Sequence, residues 1–369
     1  MLMAQIDAIG RSTEDLDTPA LLVDLDVMER NIQKMANTMI QDAGIQWRPH
    51  TKAVKSPALA HKLLDAGAIG VTCAKLGEAE VMAAGGIKDI LVCNQVVGAR
   101  KVTRLVNLRK HADVIVNVDS EENVMEIDQA ARENDVTIRI LIEVDVGTHR
   151  AGAQPGEPTL ALARKIYKCK GLKFAGLQTW ESHSLGIQDP DKKRQVITEA
   201  LDQFTDTARL IREDGIPVEI LSCGGTGTYW ISAFHPEITE VVAGGGIYCD
   251  ILYRNHFGVD HEYALFVLAT VTSRSAPTRI ICDAGRKTMS GDAAEPQPIG
   301  IPNVELISLS AEHGTIQLKQ PNDLPRIGDR ISFIVGYSDT TVFLHDQLYA
   351  ARDGTVEAVW PLLGRGKLQ

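Results

Sequence analysis

An alternation of short apolar runs and helical patterns occupies the chain from residue 45 to about 250, and it constrains the fold more than any other feature. Eight runs rich in β-branched residues have the length of strands: IQWRPHTK, IGVTCA, DILVCN, DVIVNVD, TIRILIEVD, KFAGLQTWE, VEILSCGG and TEVVAGGG. Amphipathic helical patterns separate most of them, and the weakest is TYWISAFHPEI before the eighth run. Buried parallel strands read as nearly continuous apolar runs, and eight βα units close a (β/α)8 TIM barrel. No strand–GxGxxG–helix fingerprint favours an open dinucleotide-binding sheet instead.

Beyond about residue 260 the pattern changes to strands joined by turn residues, with hardly a helix. The runs are YALFVLATVTSR, TRIICDAGRK, NVELISLSAEHGTIQLK, DRISFIVGY and QLYAARDGTVEAVWP. Such a series predicts a separate C-terminal antiparallel β domain. The early run PALLVDLD, at 19–26, lies outside the βα units, and we expect it to pair with this second domain. The sequence therefore predicts a barrel domain over 27–255 and a β-rich domain formed by 1–26 and 256–369.

The charge and the distribution of apolar residues exclude several classes of protein. A net charge of −10 argues against a nucleic-acid partner, which would require a basic face. No apolar run reaches the ~20 residues of a membrane span, and the first residues lack the basic start and apolar block of a signal peptide. The six cysteines lie far apart without a CxxC pair, which is typical of reduced thiols rather than of disulfides or a zinc site. We therefore expect a cytoplasmic protein.

Three polar residues alternate along the first barrel strand, in RPHTK. Arg48, His50 and Lys52 are two positions apart, so their side chains point to the same face. If that face is the barrel interior, Lys52 lies at the carboxyl end of the strand, where the chemistry of such barrels takes place. Neighbouring cations would depress its pKa and favour the neutral amine, which attacks aldehydes. Lys52 is therefore a candidate catalytic residue, with His50 beside it at the same site.

Two glycine-rich turns follow the seventh and eighth strands. GGTGT contains Gly225, Thr226 and Gly227, and AGGG contains Gly244 and Gly245. Glycine turns let backbone N–H groups surround an anion, and the loops after strands 7 and 8 are the usual phosphate site of such barrels. The threonines of the first turn would add hydroxyl donors. One such turn alone favours a plain tight turn, whereas two at adjacent strand ends favour a phosphate site.

A reactive lysine and a phosphate site in one barrel are the two anchors that pyridoxal phosphate requires, a covalent bond at one end and a phosphate cradle at the other. Other strand ends supply further candidates. Arg150 follows the fifth strand in EVDVGTHRAG and could balance the phenolate oxygen of this cofactor. The sixth strand ends in LQTWESH, which offers Gln178 and Trp180 as cofactor contacts and His183 as an acid or base.

Seven segments occur along the chain in the order DTPALLVDLDVMERNI, RPHTKAVK, GVTCAKLGEAEVMAAGGIKDILVCNQVVG, EVDVGTHRAG, FAGLQTW, GGTGT and FLHDQLYAARDGTVEAVWP. Together they resemble the D-threonine aldolase and D-serine dehydratase family, which consists of fold-type III pyridoxal phosphate enzymes with the alanine-racemase barrel. The resemblance extends over nearly the whole chain. It implies that Lys52, rather than Lys55, binds the cofactor covalently, and that Arg150 is the phenolate partner. It also implies that Trp180 lies near the pyridine ring and that the two glycine turns hold the phosphate.

The same resemblance implies a homodimer, in which the β domain of one subunit helps to cover the site of the other. It implies an aldolase-type lyase that acts on a D-3-hydroxy amino acid and releases an aldehyde and a smaller amino acid. A 3-hydroxy amino acid dehydratase and an amino-acid racemase remain open, because both would use Lys52 with other acid and base groups. Further alternatives are a carrier that binds pyridoxal phosphate without turnover and a different phosphate-binding barrel enzyme. The long C-terminal β domain favours an enzyme over a carrier.

One departure from the family concerns its divalent metal. Relatives with aldolase or dehydratase activity usually bind the metal through His-x-Asp or His-x-Cys at the end of a late strand. The matching stretch here is GYSDTT, which keeps Asp339 but has Tyr337 in place of the histidine. His345, in FLHD, matches another histidine of the family and is not expected to replace it. A lone aspartate is a poor site for a transition metal, so we expect the metal to be absent and Tyr337 to assist catalysis.

Overall fold

The computed structural model describes residues 7–369, which form two compact units. The barrel unit contains residues 33–52, 57–244 and 366–369. The β-rich unit contains residues 53–56 and 245–365 together with the described residues up to Ile32. Among residues 7–369, no helix has both the length and the apolar character that crossing a bilayer requires.

The described chain enters through β1 (Ala20–Asp24) and α1 (Leu25–Ala36), and a π-helical segment at Asn37–Asp42 leads to the barrel. The barrel strands are β2 (Gln46–Trp47), β3 (Val71–Cys73), β4 (Asp89–Gln95), β5 (Asp113–Val118), β6 (Ile138–Val144), β7 (Leu172–Thr179), β8 (Ile220–Cys223) and β9 (Glu240–Val241). The helices between them are α2 (Pro57–Asp65), α3 (Leu76–Ala84), α4 (Ala99–Arg109), α5 (Glu121–Glu133), α6 (Glu157–Tyr167), α7 (Pro190–Glu213) and α8 (Tyr229–Ser232). The weak seventh link of the sequence is thus a real but single-turn helix.

The strands of the barrel unit are all parallel, in the order β2-β9-β8-β7-β6-β5-β4-β3. A parallel bridge between His50 and Thr72 joins the extension of β2 to β3 and closes the sheet. This confirms the predicted (β/α)8 barrel. Closure removes the sheet edges, and the carboxyl ends of the strands meet at one mouth.

The barrel interior is layered. At the amino-terminal ends of the strands, Arg48 donates to the carboxylates of Glu240 (2.9 Å) and Asp89 (2.6 Å). Above this charged layer lies an apolar one, made of Leu91, Ile115, Leu141, Ala175 and Val242. Polar side chains follow at the mouth. Because strand side chains alternate, each layer draws on residues two apart along the strands.

A bulge in β7 changes which of its residues face inward. The pairing of β7 with β6 shifts between Ile140–Phe174 and Leu141–Gly176. Gly176 has φ +147°, and a Cβ there would lie 1.9 Å from the carbonyl oxygen of Ile220, so the bulge requires glycine. Ala175 lies in the inner layer, and a regular strand would turn Gln178 outward. The extra residue turns the Gln178 side chain back to the barrel interior, where its amide oxygen accepts a hydrogen bond from Asn117.

The β-rich unit is built on one large sheet. Its further strands are β10 (Leu265–Ala276), β11 (Arg279–Cys282), β12 (Gln297–Pro298), β13 (Val304–Leu309), β14 (Gly314–Leu318), β15 (Arg330–Ile334), β16 (Gln347–Arg352) and β17 (Thr355–Pro361), with the short helix α9 (Ser338–Val342). The main order is β13-β14-β11-β10-β1-β16-β17, and β15 pairs with β10 and β12. The antiparallel domain is confirmed, as is the pairing of the early strand with it. β1 pairs antiparallel with β10 and parallel with β16, which makes one parallel ladder in the sheet.

Replacing Arg48 by methionine should lower the free energy of unfolding by about 3–5 kcal/mol, because the fully buried Glu240 would lose its cationic partner. Urea unfolding followed by tryptophan fluorescence measures the loss. The double variant Arg48→Met with Glu240→Leu removes both charges and should regain most of the stability. Equal losses in the single and the double variant would contradict the electrostatic explanation.

Candidate functional site

Lys52 lies at the carboxyl end of the first barrel strand and is half-buried. Its backbone N–H donates to Nδ1 of His50 at 3.1 Å. Because Nδ1 accepts this bond, the proton of the neutral ring lies on Nε2, which is 3.4 Å from Sγ of Cys93. The His50 ring therefore holds the backbone at Lys52, where the chain leaves the barrel strand.

Charged groups surround the thiol of Cys93 at this end of the barrel. Burial raises the pKa of Cys93 to about 12, and the carboxylate of Glu143 acts in the same direction. Lys52 and Arg150 act in the opposite direction, which means that both cations lie within electrostatic range of the thiol. The lysine and the arginine that the sequence singled out are thus neighbours. Cys93 itself stays a neutral thiol, which makes it a poor nucleophile.

Arg48 forms two ion pairs inside the barrel unit. Its charge is balanced by Glu240 and Asp89 at the amino-terminal ends of the strands. Arg48 lies four positions before Lys52 in the chain, and residues 51–54 form a turn. Strand alternation predicts the face of a side chain but not its partners, and the effect of Arg48 on Lys52 stays a prediction.

Arg150 is tethered to a buried carboxylate. Its Nη2 lies 3.5 Å from Oε1 of Glu143, and the arginine side chain is 62% exposed. The other oxygen of Glu143 accepts from Nε2 of Gln95 at 2.7 Å, which pins the carboxylate between two strands. The guanidinium therefore has a fixed anchor and still presents donors to a ligand. Sequence reasoning missed Glu143, because an acidic residue inside a barrel strand gives no motif.

A polar layer lies across the barrel interior just inside the mouth. Oε1 of Gln178 accepts from Nδ2 of Asn117 at 2.8 Å, and its Nε2 donates to the carbonyl of Thr179. Two atoms in this layer, Oδ1 of Asn117 and Oγ of Ser222, are buried and have no hydrogen-bond partner among the described residues. Leaving such a group unpaired costs about 1–3 kcal/mol. A ligand with a polar edge would satisfy both atoms.

The first glycine turn is pressed against an indole ring. A Cβ at Gly225 would lie 2.2 Å from Cη2 of Trp180, so only glycine fits beneath the ring. In the second turn, a Cβ at Gly244 would lie 2.1 Å from the carbonyl oxygen of His50. The turn of the last strand thus packs directly on the strand that carries Lys52. Close backbone approach, rather than positive φ, explains glycine at both positions.

Unpaired amides accompany these turns. Gly227 and Gly244 are buried, and among the described residues of the barrel unit no acceptor takes their N–H groups. Buried backbone donors without a partner are rare in proteins. Thr226, on the same turn, is also buried. Together these groups form a site that suits an anion such as phosphate.

The second threonine of GGTGT is not available to an anion. Oγ1 of Thr228 donates to Oε1 of Glu181 at 2.7 Å, and it accepts the N–H of Gly225 at 3.2 Å. Its only hydroxyl proton is therefore used within the protein. The expectation that Thr228 donates to a phosphate is wrong, because no sequence pattern indicates that Glu181 is buried below the turn.

His183 lies in a short 3₁₀ turn at Ser182–Ser184, and it is exposed. Its ring is close to Gly147, where an added Cβ would lie 3.2 Å from Cε1. Gly147 belongs to the loop that leads to Arg150. His183 therefore belongs to the barrel unit near one candidate residue, but it shares no hydrogen bond with the polar layer inside the mouth.

In the β-rich unit, Tyr337 is part of a hydrogen-bonded set. Its hydroxyl donates to Oδ2 of Asp339 at 2.6 Å. The hydroxyl of Tyr253 bonds to Tyr337, and burial, followed by the charge of Asp339, raises the pKa of Tyr253 well above its usual range. Tyr253 therefore stays protonated and acts as a donor. A Cβ at Gly245 would lie 2.6 Å from this same hydroxyl, which explains the glycine.

Asp339, the carboxylate of GYSDTT, already accepts a hydrogen bond from the Tyr337 hydroxyl. Nε2 of His345 lies 2.7 Å from the carbonyl of Thr288, and burial lowers the pKa of the histidine. Within residues 7–369, no group of three or more histidine, cysteine, aspartate and glutamate side chains is placed to bind a metal ion.

Comparison with known proteins connects these features with a family. The alanine racemase N-terminal domain matches residues 23–251, which is more than half of the chain. The putative serine dehydratase domain matches residues 264–351. The two matches coincide with the barrel and with most of the C-terminal sheet.

Relatives of known name match over nearly the full length. A D-threonine aldolase of Arthrobacter sp. is 34% identical over 354 residues, which cover 95% of this chain and 93% of the relative. A 3-hydroxy-D-aspartate aldolase of Paracoccus denitrificans (strain Pd 1222) is 32% identical over 369 residues, which cover 97% and 94%. The crystal structure of D-threonine aldolase from Filomicrobium marinum matches with a TM-score of 0.94 at 33% identity and covers 98% of this chain and 99% of that one.

Proposed function

The chain belongs to the alanine racemase N-terminal domain family, and from that premise we propose that it is a pyridoxal phosphate-dependent carbon–carbon lyase acting on a D-3-hydroxy amino acid. The reaction would release an aldehyde and a smaller amino acid. The observation that carries the proposal is the presence of Lys52 and two glycine turns with unpaired amides in one barrel. Relatives named as aldolases, similar over nearly the whole chain, support the reaction class.

The donor set of the barrel unit fits this cofactor. Lys52 would bind its aldehyde carbon, and the amides of Gly227 and Gly244, together with Thr226, would hold its phosphate. Arg150 would face the phenolate oxygen, and Trp180 and His50 would flank the ring. The unpaired atoms of the Asn117–Gln178–Ser222 layer support a ligand with a polar ring atom. When bound, pyridoxal phosphate would supply an electron-withdrawing ring that weakens the bonds to the α-carbon of the substrate.

We propose that Tyr337 and Asp339 move the proton of the substrate's β-hydroxyl group. The Tyr337 oxygen would accept this proton while its own proton passes to Oδ2 of Asp339, to which it already donates. The β-hydroxyl oxygen then becomes the aldehyde oxygen as the Cα–Cβ bond breaks. This relay needs no ionised tyrosine and no metal, and proton transfer by a placed side chain contributes about 10²–10⁴-fold to a rate. His183 is the second candidate for this step.

The proposal extends to a cytoplasmic homodimer. None of the six cysteines forms a disulfide among the described residues, as expected of a reducing compartment. In the dimer that the family resemblance implies, the β-rich unit of one subunit helps to cover the site of the other. A small amino acid is the substrate, and no nucleic acid or membrane partner is proposed.

Purified protein should convert D-3-hydroxy amino acids, and not their L-isomers, to an aldehyde and a smaller amino acid. A panel of both isomers, with separate detection of aldehyde, 2-oxo acid and enantiomer, measures this. A 2-oxo acid would instead identify a dehydratase, which the match to the serine dehydratase domain makes the second candidate. An inverted enantiomer would identify a racemase. Cofactor binding without any product would identify a carrier.

Borohydride reduction should fix the cofactor on Lys52, because this lysine ends the barrel strand. The protein should be yellow before reduction, and peptide mapping should find the added mass on Lys52 alone. Lys55 is the matched control, since it is buried with its Nζ 5.8 Å from the Phe343 ring centroid in the β-rich unit. Lys55→Arg should keep the label, and Lys52→Ala should lose it. A label on Lys55, or an unmodified chain, would refute the assignment.

Replacing Tyr337 by phenylalanine should lower kcat by about 10²-fold or more while the visible absorption of the cofactor persists, because the relay loses its oxygen. Chelator treatment should leave the activity of the unaltered protein intact. Tyr263→Phe is the control, since this tyrosine lies in the same unit and its hydroxyl donates to Oδ1 of Asn255 at 3.1 Å. Loss of activity on chelation, restored by manganese or zinc, would contradict the relay. So would a fully active Tyr337→Phe variant, and His183 would then be tested.

A further inference from the structure

Glu181 is a buried carboxylate directly behind the first glycine turn. It follows Trp180 at the end of β7, and none of its surface is exposed. Oε1 accepts from Oγ1 of Thr228 at 2.7 Å and from Oγ of Ser232 at 2.5 Å, and Oε2 accepts the N–H of Gly224 at 3.3 Å. Each of its partners lies on the turn or in the helix that follows it.

No cation balances this charge. Among the described residues, no lysine, arginine or histidine nitrogen lies within 4.0 Å of the Glu181 carboxylate. A buried carboxylate without an ion pair is costly, and neutral donors have to compensate it. The three donors come from one segment, so the cost of burial is offset only when that segment has the observed conformation. The carboxylate therefore specifies the conformation of the turn.

The bonds to Glu181 divide the amides of the turn into two sets. Gly224 donates to the carboxylate itself, and Gly225 donates to Thr228, whose hydroxyl proton is directed at Glu181. Both amides are thereby used inside the protein. The amide of Gly227 is left without an acceptor in the described barrel unit. Glu181 thus determines which N–H groups of the turn remain for a ligand.

We propose that Glu181 is a positioning residue for the phosphate group, acting through Thr228 and Ser232 and making no contact with the ligand. It orders the turn so that the amide of Gly227 faces the anion, and it thereby makes binding depend on the phosphate of the cofactor. The inference rests on the proposed function, because it takes the turn as the phosphate site. Its effect is geometric, since the charge of a carboxylate by itself would repel a phosphate dianion.

The measurement is the ratio of dissociation constants of pyridoxal and pyridoxal 5′-phosphate for the full-length protein. Thr228→Val removes the linking hydroxyl at nearly constant volume and should lower this ratio by about tenfold, equivalent to one lost hydrogen bond of about 1.4 kcal/mol. Thr228→Ser keeps the hydroxyl and should restore the ratio. Thr205→Val is the matched control, because this buried threonine bonds a backbone carbonyl in α7, and it should leave the ratio unchanged.

Substitutions of Glu181 itself test whether this residue affects phosphate binding through the geometry of the turn or through its own charge. Glu181→Leu should lower the ratio at least as much as Thr228→Val, with thermal unfolding of the cofactor-free protein reporting whether the variant folds. Glu181→Gln keeps an acceptor for Thr228 and Ser232 and should retain most of the ratio. Tighter phosphate binding in Glu181→Gln would show that the charge, and not the geometry, acts on the ligand, and would overturn the proposal.

Two further outcomes decide between the inference and the function on which it rests. Should the unaltered protein bind pyridoxal and pyridoxal 5′-phosphate equally, the turn is not a phosphate site and the proposed cofactor site fails. Should the unaltered protein prefer the phosphate while folded Thr228→Val prefers it equally, only the role of Glu181 fails. The comparison of Thr228→Val with Thr228→Ser distinguishes these two outcomes even if the Glu181→Leu variant does not fold.

Discussion

The buried ion pair of Arg48 with Glu240 is the interaction on which the barrel and its mouth depend. It joins the first and last barrel strands at their amino-terminal ends, where Asp89 of β4 adds a second carboxylate. A buried charge tolerates little displacement from its partner. The register of β2 is therefore fixed at its base, and His50 and Lys52 follow at fixed heights above it. The charged base therefore determines where Lys52, the proposed cofactor lysine, lies.

Several buried polar groups at the mouth of the barrel are available to bind a ligand. Most buried donors and acceptors are paired in native proteins. Here the amides of Gly227 and Gly244 and the side-chain oxygens of Asn117 and Ser222 are exceptions among the described residues of the barrel unit. They lie at or near the carboxyl ends of three strands, β5, β8 and β9. Unpaired buried groups at the mouth of a packed barrel support a site whose remaining partner is a ligand.

Carboxylates anchor the groups proposed to touch that ligand, and those of Glu143 and Glu181 are buried. Glu143 tethers Arg150 and Gln95, Glu181 orders the first glycine turn, and Asp339 accepts the proton of Tyr337. In each case a carboxylate holds a side chain or turn that sequence patterns single out. Carboxylates suit this role, because two oxygens accept several bonds and the penalty for leaving them unpaired is large.

The sequence by itself determined the barrel, the second sheet and the end of the strand where Lys52 lies, because periodicity and strand ends are local properties of the chain. It also identified the two glycine turns, and the family resemblance implied that Tyr337 stands in place of a histidine. Only the tertiary structure decided that Arg48 forms ion pairs with Glu240 and Asp89. It also decided that a bulge turns Gln178 inward, and that the Thr228 hydroxyl donates to Glu181. These interactions depend on residues that are distant in the chain, such as Glu240. The residue pattern of one strand does not indicate which side chain of a neighbouring strand will contact it.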